Sequence, residues 1–294
     1  MIIRRLVKSG AASHTISLPK EWIERNNLKK GDLLQINQEN NQLIVSNNTE
    51  KKDQDVEKEI VIQVDDKTIN TLRRLTIAAY INNYQKFSFI GDKINERLED
   101  IRKILQNFLA LEIIEQTDSK LVAKDFLNLS EFSLQKTVRR MDMLTRSLII
   151  DAKKGKKEYL TLCIKDYEVD KLFFLISRLI RSHFKTQKMD IDNNQAHCLW
   201  WLAKNLESIS DTAKEISQYL NEDIQIIFDE LEQYYLECVK AYFKDDKELA
   251  DKMIEKRREL LVKCDKLKNE NKYLLKNMIN FSRNVAKIIQ DKSD

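Results

Sequence analysis

Two pairs of carboxylate residues, each spaced by four positions, offer oxygen ligands in the C-terminal half of the chain. The pairs are Asp166 with Asp170 and Glu207 with Asp211. Side chains at i and i+4 share one face of a helix, so each pair would present its carboxylates together. Like charges at this spacing repel, so each pair either binds a cation or is solvated. Lys204 and Lys214 lie one turn from the second pair and could bridge it in place of a metal ion.

The first twenty residues form a second group that could bind a ligand, because they contain basic side chains and no Asp or Glu. The basic residues are Arg4, Arg5, Lys8 and Lys20. Clustered cations bind nucleic-acid phosphates, since neutralised phosphates release their counterions. The formal net charge of the whole chain is only +4, so this cluster is local. Charge alone is equally compatible with duplex binding and with an ordinary solvated strand.

Patterns typical of enzymes are absent from the sequence, so we expect no enzymatic activity. It contains no G-x-S-x-G, H-E-x-x-H or P-loop motif, and the three histidines have no spacing typical of a metal site or catalytic dyad. The four cysteines are far apart and are predicted to be small buried hydrophobes in a reducing cytoplasm: Cys163, Cys198, Cys238 and Cys264. No apolar run approaches the roughly 18 residues of a membrane span, and the start does not resemble a signal peptide. We therefore expect a cytoplasmic protein that is not integral to a membrane.

Glycine and proline are rare, which points to a mainly α fold. The chain has 4 Gly and 1 Pro, and neither occurs after Gly155, so the C-terminal half must form long helices. At the start of the chain, strand-like runs and one short helix predict a small β-rich domain. That domain is followed by a polar linker and then by a small α/β region. In the α/β region, one helix is predicted over INERLEDIRKILQNFLALEI. The predicted boundaries are 1–48 for the β-rich domain, 49–58 for the linker and 59–127 for the α/β region.

Apolar stripes at helical spacing predict six helices from residue 133 onwards, arranged as two tandem three-helix bundles over 133–220 and 221–294. Predicted breaks fall near Asn221, Asp245–Asp246 and Asn269–Asn271. A weak internal repeat, LESISDTAKEI and NFSRNVAKII, aligns the last helix of each bundle. A long coiled coil is the alternative, but the stripes are interrupted too often for one seam.

The N-terminal segment resembles a SpoVT/AbrB-type DNA-binding domain. The resemblance rests on RRLVKSGAASHTISLPKEWIERNNLKKGDLLQI and covers about residues 2–46. It implies a swapped-hairpin homodimer, because about 45 residues cannot close a core alone. It also implies a dimer core that includes Leu6, Val7, Ile16, Leu18 and Trp22. The residues that it places towards double-stranded DNA are Arg4, Arg5, Lys8, Ser13, His14, Thr15 and Lys20.

From about residue 59 onwards the chain resembles an archaeal-type PhoU regulator, through TLRRLTIAAYINNYQKFSFIG, KDYEVDKLFFLISRLI and NLESISDTAKEI. This family carries E/D-x-x-x-D motifs that bind metal clusters. The resemblance therefore implies a site for Fe, Mn or Mg on the first bundle, held by Asp166, Asp170, Glu207 and Asp211. In the second bundle the equivalent positions are Lys256, Leu260, Asn280 and Asn284. Most anionic ligands are missing there, so we expect no second metal cluster.

Together the two resemblances imply a homodimeric transcriptional regulator of phosphate uptake, with a phosphate transporter or its signalling partner as a further partner. One alternative is an adaptor that only docks on the transporter and uses the N-terminal domain for dimerisation. DNA affinity separates these two functions. A di-metal oxidase is disfavoured, because ferritin-like sites need Glu-x-x-His, whereas Ile180 precedes His183 and Asn194 precedes His197 at that spacing.

Overall fold

The computed structural model describes residues 3–11, 13–39, 42–47, 57–186, 189 and 191–290. The chain divides into two compact units, Met1–Val56 and Glu57–Asp294. Most of the predicted linker, 49–58, lies outside the described residues, which resume at Glu57.

The N-terminal unit consists of two hairpins with a short helix between them. The elements are β1 (Val7–Lys8), β2 (His14–Thr15), α1 (Lys20–Arg25), β3 (Leu34–Glu39) and β4 (Gln42–Asn47). Both strand pairs are antiparallel. Gly10 has a φ of +88° in the turn between β1 and β2, a conformation that glycine adopts without a steric penalty. In the first hairpin, the pairing of the described residues joins Val7 with Thr15 and Lys8 with His14.

The second unit begins with an α/β layer. Its elements are β5 (Glu59–Gln63), α2 (Ile69–Ile81), β6 (Lys86–Ile90), α3 (Ile94–Leu105), β7 (Leu111–Gln116) and β8 (Lys120–Asp125). The strands form one sheet in the order β5-β6-β8-β7, in which β5 and β6 are parallel and the other pairs antiparallel. The side chain of Thr68 caps α2 by accepting from the backbone N–H of Thr71.

One prediction for the α/β layer was wrong. The periodicity of INERLEDIRKILQNFLALEI predicts one helix through the whole segment, but α3 ends at Leu105. Ala110 then turns the chain with a φ of +57°, and Leu111 starts strand β7. The apolar side chains of Leu111 and Ile113 pack into the core below the sheet. Pairing with β8 therefore outweighs the local helical spacing, which is a tertiary effect.

Six long helices complete the unit. They are α4 (Leu134–Ala152), α5 (Tyr159–Thr186), α6 (Asn193–Ile216), α7 (Glu222–Lys244), α8 (Lys247–Lys266) and α9 (Lys272–Gln290). Helices α4–α6 form the first bundle and α7–α9 the second, and α6 packs on α9. The side chains of Asn221 and Asp246 cap α7 and α8, which explains the predicted breaks. Among the described residues, no helix has both the length and the apolar character that a bilayer span requires.

The α/β layer is anchored to the first bundle through α5. Arg178 is 1% exposed and forms a buried ion pair with Asp125 at the end of β8. Its Nε and Nη2 also donate to Asn83 Oδ1, at 3.0 and 2.7 Å. Phe174 packs on Phe108 with ring centroids 5.6 Å apart. Because one buried guanidinium joins three elements, the position of α5 is fixed relative to the sheet.

Candidate functional site

The β1–β2 hairpin gathers part of the predicted DNA-binding set. Lys8 lies directly opposite His14 in the antiparallel register, and residues that face each other in this way project from the same side of the hairpin. The backbone N–H of Ser9 donates to Ser13 O at 2.8 Å, and the Ser13 hydroxyl donates to Ser9 O. The Thr15 hydroxyl lies 3.4 Å from Val7 O. Ser13 and Thr15 therefore close the hairpin, while Lys8 and His14 are free to reach a ligand.

The remaining predicted DNA contacts flank the hairpin. Arg4 and Arg5 are exposed in the extended segment before β1. Lys20 begins α1, where its Nζ lies 3.5 Å from Glu24 Oε1, with both side chains largely exposed. Such a pair contributes little to stability and is easily exchanged for a stronger anion. All seven predicted residues are solvent-exposed, as a phosphate-binding surface requires.

The N-terminal unit also leaves its apolar side chains uncovered. Leu6 is 69% exposed, Val7 56% and Ile16 57%. Leu18 and Trp22 are half-buried, and none of the described residues of this unit is fully buried. An apolar surface of this kind needs a partner to remove it from water. The homodimer implied by the sequence would supply one, and it stays a prediction.

The four carboxylates predicted to hold a metal lie on α5 and α6, and a lysine of α6 pairs with two of them. We call Asp166, Asp170, Glu207, Asp211 and Lys214 the acidic seam. Lys214 Nζ forms an ion pair with Asp166 and a second one with Asp211 Oδ1 at 2.8 Å. Ser210 Oγ donates to Asp166 Oδ1 at 2.9 Å. Glu207 is paired separately, with Lys204 Nζ at 2.6 Å.

Burial and charge set the protonation of the acidic seam. Burial disfavours the charged form of Lys214, but its hydrogen bonds with Asp166 and Asp211 outweigh this effect and raise the pKa of the ammonium above its usual range. Asp170 has no such partner among the residues that the structure describes. Burial, followed by repulsion from Asp166, Asp211 and Glu207, raises the pKa of its carboxyl group to about 7.

This arrangement does not match a preformed metal site. Among the residues that the structure describes, no three His, Cys, Asp or Glu side chains are grouped so that they could hold a metal ion. The ammonium of Lys214 lies between Asp166 and Asp211, where a cation would bind. A cluster on these carboxylates would require Lys214 to move away first. The metal site therefore stays a prediction.

The corresponding seam of the second bundle, between α8 and α9, carries arginines instead. Leu260 is fully buried, and Lys256 is exposed. Arg257 Nε donates to Asn280 Oδ1 at 2.9 Å. Beside this pair, Arg283 Nη1 donates to Asn284 Oδ1 at 3.1 Å. No sequence pattern predicts a role for these two arginines, although each adjoins a position at which a carboxylate is missing.

Comparison with known proteins gives two family matches. Residues 8–55 match the family model for antidote-toxin recognition MazE, bacterial antitoxin, and residues 135–220 match the PhoU domain. The second match ends before α7, so it covers the first bundle and not the second. No curated protein and no solved structure shows a significant match to the chain. The two family matches confirm the predicted architecture, an AbrB/MazE-type domain followed by a PhoU domain.

Proposed function

We propose that this chain, in which an AbrB/MazE-type domain precedes a PhoU domain, is a cytoplasmic DNA-binding regulator of phosphate uptake. The observation that carries the proposal is the exposed hairpin of the N-terminal unit. It lies within the first twenty residues of the chain, which contain basic side chains and no acidic one. Both matched models describe regulatory domains, and we propose no catalytic step.

In this proposal the hairpin binds the phosphate backbone of a duplex. Arg4, Arg5 and Lys8 supply mobile cations ahead of and along β1, and Lys20 adds another at the start of α1. Such contacts position a protein on DNA and make its affinity strongly dependent on salt. A homodimer built on the uncovered apolar surface of the unit would double the number of contacts. It would also remove side chains such as Leu6 and Ile16 from water.

The helical part would transmit phosphate status to the DNA-binding unit. We propose that the first bundle, which the PhoU match covers, docks on a phosphate transporter or its signalling partner. Within the second unit, the buried Arg178–Asp125 ion pair couples α5 to the sheet, so docking on the first bundle can also shift the α/β layer. We propose that docking changes the DNA affinity of the chain.

A metal ion is a separate part of the proposal. A multivalent cation such as Fe, Mn or Mg would relieve the repulsion among Asp166, Asp170, Glu207 and Asp211, whose oxygen ligands suit hard cations. It would have to displace Lys214 first. We therefore expect a Lys214→Met variant to bind Mn²⁺ more tightly than the wild type. Metal content that is unchanged in a Glu207→Ala, Asp211→Ala variant would mean that the metal lies elsewhere.

The proposed DNA contacts are tested by removing two positive charges next to the hairpin and, as a control, two positive charges elsewhere in the same unit. An Arg4→Ala, Arg5→Ala variant should bind duplex DNA more weakly. Each lost phosphate contact should lower the slope of log affinity against log salt by about 0.9. A Lys29→Ala, Lys30→Ala variant loses the same charge from the exposed turn after α1 and should keep most of the slope.

Dimerisation should be measured on the same samples by analytical ultracentrifugation. If the arginine variant remains dimeric and binds DNA as the wild type does, these arginines do not contact DNA. If the dimeric wild type has no duplex affinity at any salt concentration, the regulator proposal fails. A transporter adaptor would then be the better interpretation.

A further inference from the structure

The seam between α8 and α9 concentrates positive charge without an acidic partner. We call Arg257, Asn280, Arg283 and Asn284 the basic seam. Helices α8 and α9 together hold twice as many Lys and Arg as Asp and Glu. Acidic residues do pair across these helices beyond the seam, as in Asp265 with Lys276 at 2.5 Å. In the described part of the chain, however, neither Arg257 nor Arg283 forms an ion pair with any carboxylate.

The hydrogen bonds of the two arginines are incomplete. Arg257 and Arg283 each donate to a neutral amide oxygen, that of Asn280 and Asn284 respectively. The Nε–H of Arg283 is buried and has no hydrogen-bond partner among the described residues. A buried donor on a charged group is costly to leave unpaired. A guanidinium has five donors, so these contacts leave most of the donor capacity of the seam unused.

The two guanidinium groups act on the same buried phenol. Burial raises the pKa of Tyr234 well above its usual range, and the positive charges of Arg257 and Arg283 both oppose that rise. The Tyr234 hydroxyl donates to Met253 O at 2.8 Å, which fixes its place beside α8. Both arginines are half-buried. Arg257 bonds to Asn280, which lies one turn from Arg283 on the same face of α9. Two cations brought to one partly dry seam repel each other, and an anion bound between them would relieve that repulsion.

We propose that the basic seam binds a phosphate-class oxyanion, either inorganic phosphate or a small phosphate monoester. Guanidinium groups bind tetrahedral oxyanions through paired, charge-assisted N–H···O bonds. An anion here would accept from the unpaired Nε–H of Arg283 and neutralise both arginines. Without a carboxylate, the seam offers nothing to a metal cation. The inference rests on this geometry and stands whether or not the chain binds DNA.

The test is isothermal titration of the full chain with inorganic phosphate and, in a second arm, with AMP as a phosphate monoester. Ionic strength is held constant with chloride in both arms. We expect saturable binding that weakens about tenfold in Arg257→Gln and in Arg283→Gln, since each substitution removes a charge-assisted hydrogen bond to the anion. Arg258→Gln removes the same charge from an exposed neighbour on α8 and should bind as the wild type does. Binding in one arm only would identify the source of the phosphate group.

A thermal melt of each variant, with and without phosphate, separates loss of the site from loss of the fold. Phosphate should raise the melting temperature of the wild type and of Arg258→Gln, because a ligand that binds only the native state stabilises it. It should not raise that of Arg283→Gln. Arg257→Lys keeps the charge but loses the planar fork, so its affinity should lie between those of the wild type and Arg257→Gln. Absence of saturable binding to the wild type in both arms, or equal weakening in Arg258→Gln, would overturn the proposal.

Discussion

The two helical bundles have the same architecture but opposite charge at the corresponding seam. In the first bundle, α5 and α6 bring four carboxylates together, and Lys214 from α6 forms ion pairs with two of them. In the second bundle, α8 and α9 place Arg257 and Arg283 beside amides, and no carboxylate pairs with either within the described residues. The first seam contains its own counter-ion, whereas the second does not.

This contrast indicates how one scaffold can serve two kinds of ligand. In the first seam Lys214 neutralises part of the negative charge through its ion pairs with Asp166 and Asp211, so a metal would have to compete with this lysine. A seam with unpaired arginines has a standing affinity for anions. Of the two bundles, only the first lies within the PhoU match.

Of the substitutions that test this contrast, removal of the Lys214 ammonium should change the free energy of unfolding most. In Lys214→Met, the buried carboxylate of Asp166 loses its ion pair, and the half-exposed Asp211 loses its partner as well. Breaking one side of a buried pair typically destabilises a protein by about 3–5 kcal/mol. Because the side chain of Lys214 is 18% exposed, we expect a loss of about 3 kcal/mol in urea unfolding at pH 7.

The matched control for this variant is Lys240→Met. Lys240 pairs with Glu237 at 3.1 Å on the surface of α7, where both side chains are more than a third exposed. Exposed pairs contribute little, so the change should stay below about 0.5 kcal/mol. Equal effects of the two substitutions would show that Lys214 is not the counter-ion of the acidic seam.

A smaller effect is expected at Asp170, and it depends on pH. The pKa of its carboxyl group rises from 3.8 to about 7 on folding, so the native state binds this proton more tightly than the unfolded state does. Stability contributed by the protonated form is therefore lost as the pH rises from about 4 to 7. Asp170→Asn should remove this dependence and stabilise the fold above pH 7 by about 2 kcal/mol, after allowing for partial exposure.

Urea unfolding of wild type and Asp170→Asn at pH 5 and pH 8 measures this difference. The variant should be more stable than the wild type at both values, by less than half as much at pH 5 as at pH 8. A variant that is less stable than the wild type at pH 8 would indicate an ionised Asp170 paired with a cation, as the metal prediction requires.

The smallest effect is expected from giving the second seam a carboxylate of its own. Asn280→Asp would place a negative charge at the atom to which Arg257 Nε now donates, at 2.9 Å. We expect a gain of about 1 kcal/mol in stability, because a charge-assisted bond replaces a neutral one. Phosphate affinity should fall in the same variant. Unchanged stability together with unchanged affinity would mean that the charge of Arg257 is already neutralised.

The sequence predicts the helices better than it predicts the chemistry of the seams. Helix α7 was predicted over its full length, because Asn221 caps its start and Asp245 leaves the helical conformation at its end. Strand β7 was missed, because its pairing with β8 is not encoded in local spacing. Spacing alone also puts Asp166 and Asp170 on one helix face. Neither the reach of Lys214 across to Asp166 nor the burial of Arg283 Nε can be derived from it, because both depend on how neighbouring helices pack.

The central claim, a DNA-binding regulator of phosphate uptake, is tested most directly by recovering the DNA that the chain occupies in cells. Cells grown with abundant and with scarce phosphate should be cross-linked, and the bound DNA sequenced. The account predicts enriched sites upstream of phosphate-transporter genes, with occupancy that changes between the two conditions and is lost in the Arg4→Ala, Arg5→Ala variant. A dimeric chain that is present in both conditions, yet shows no enriched site while it co-purifies with the transporter, would contradict it.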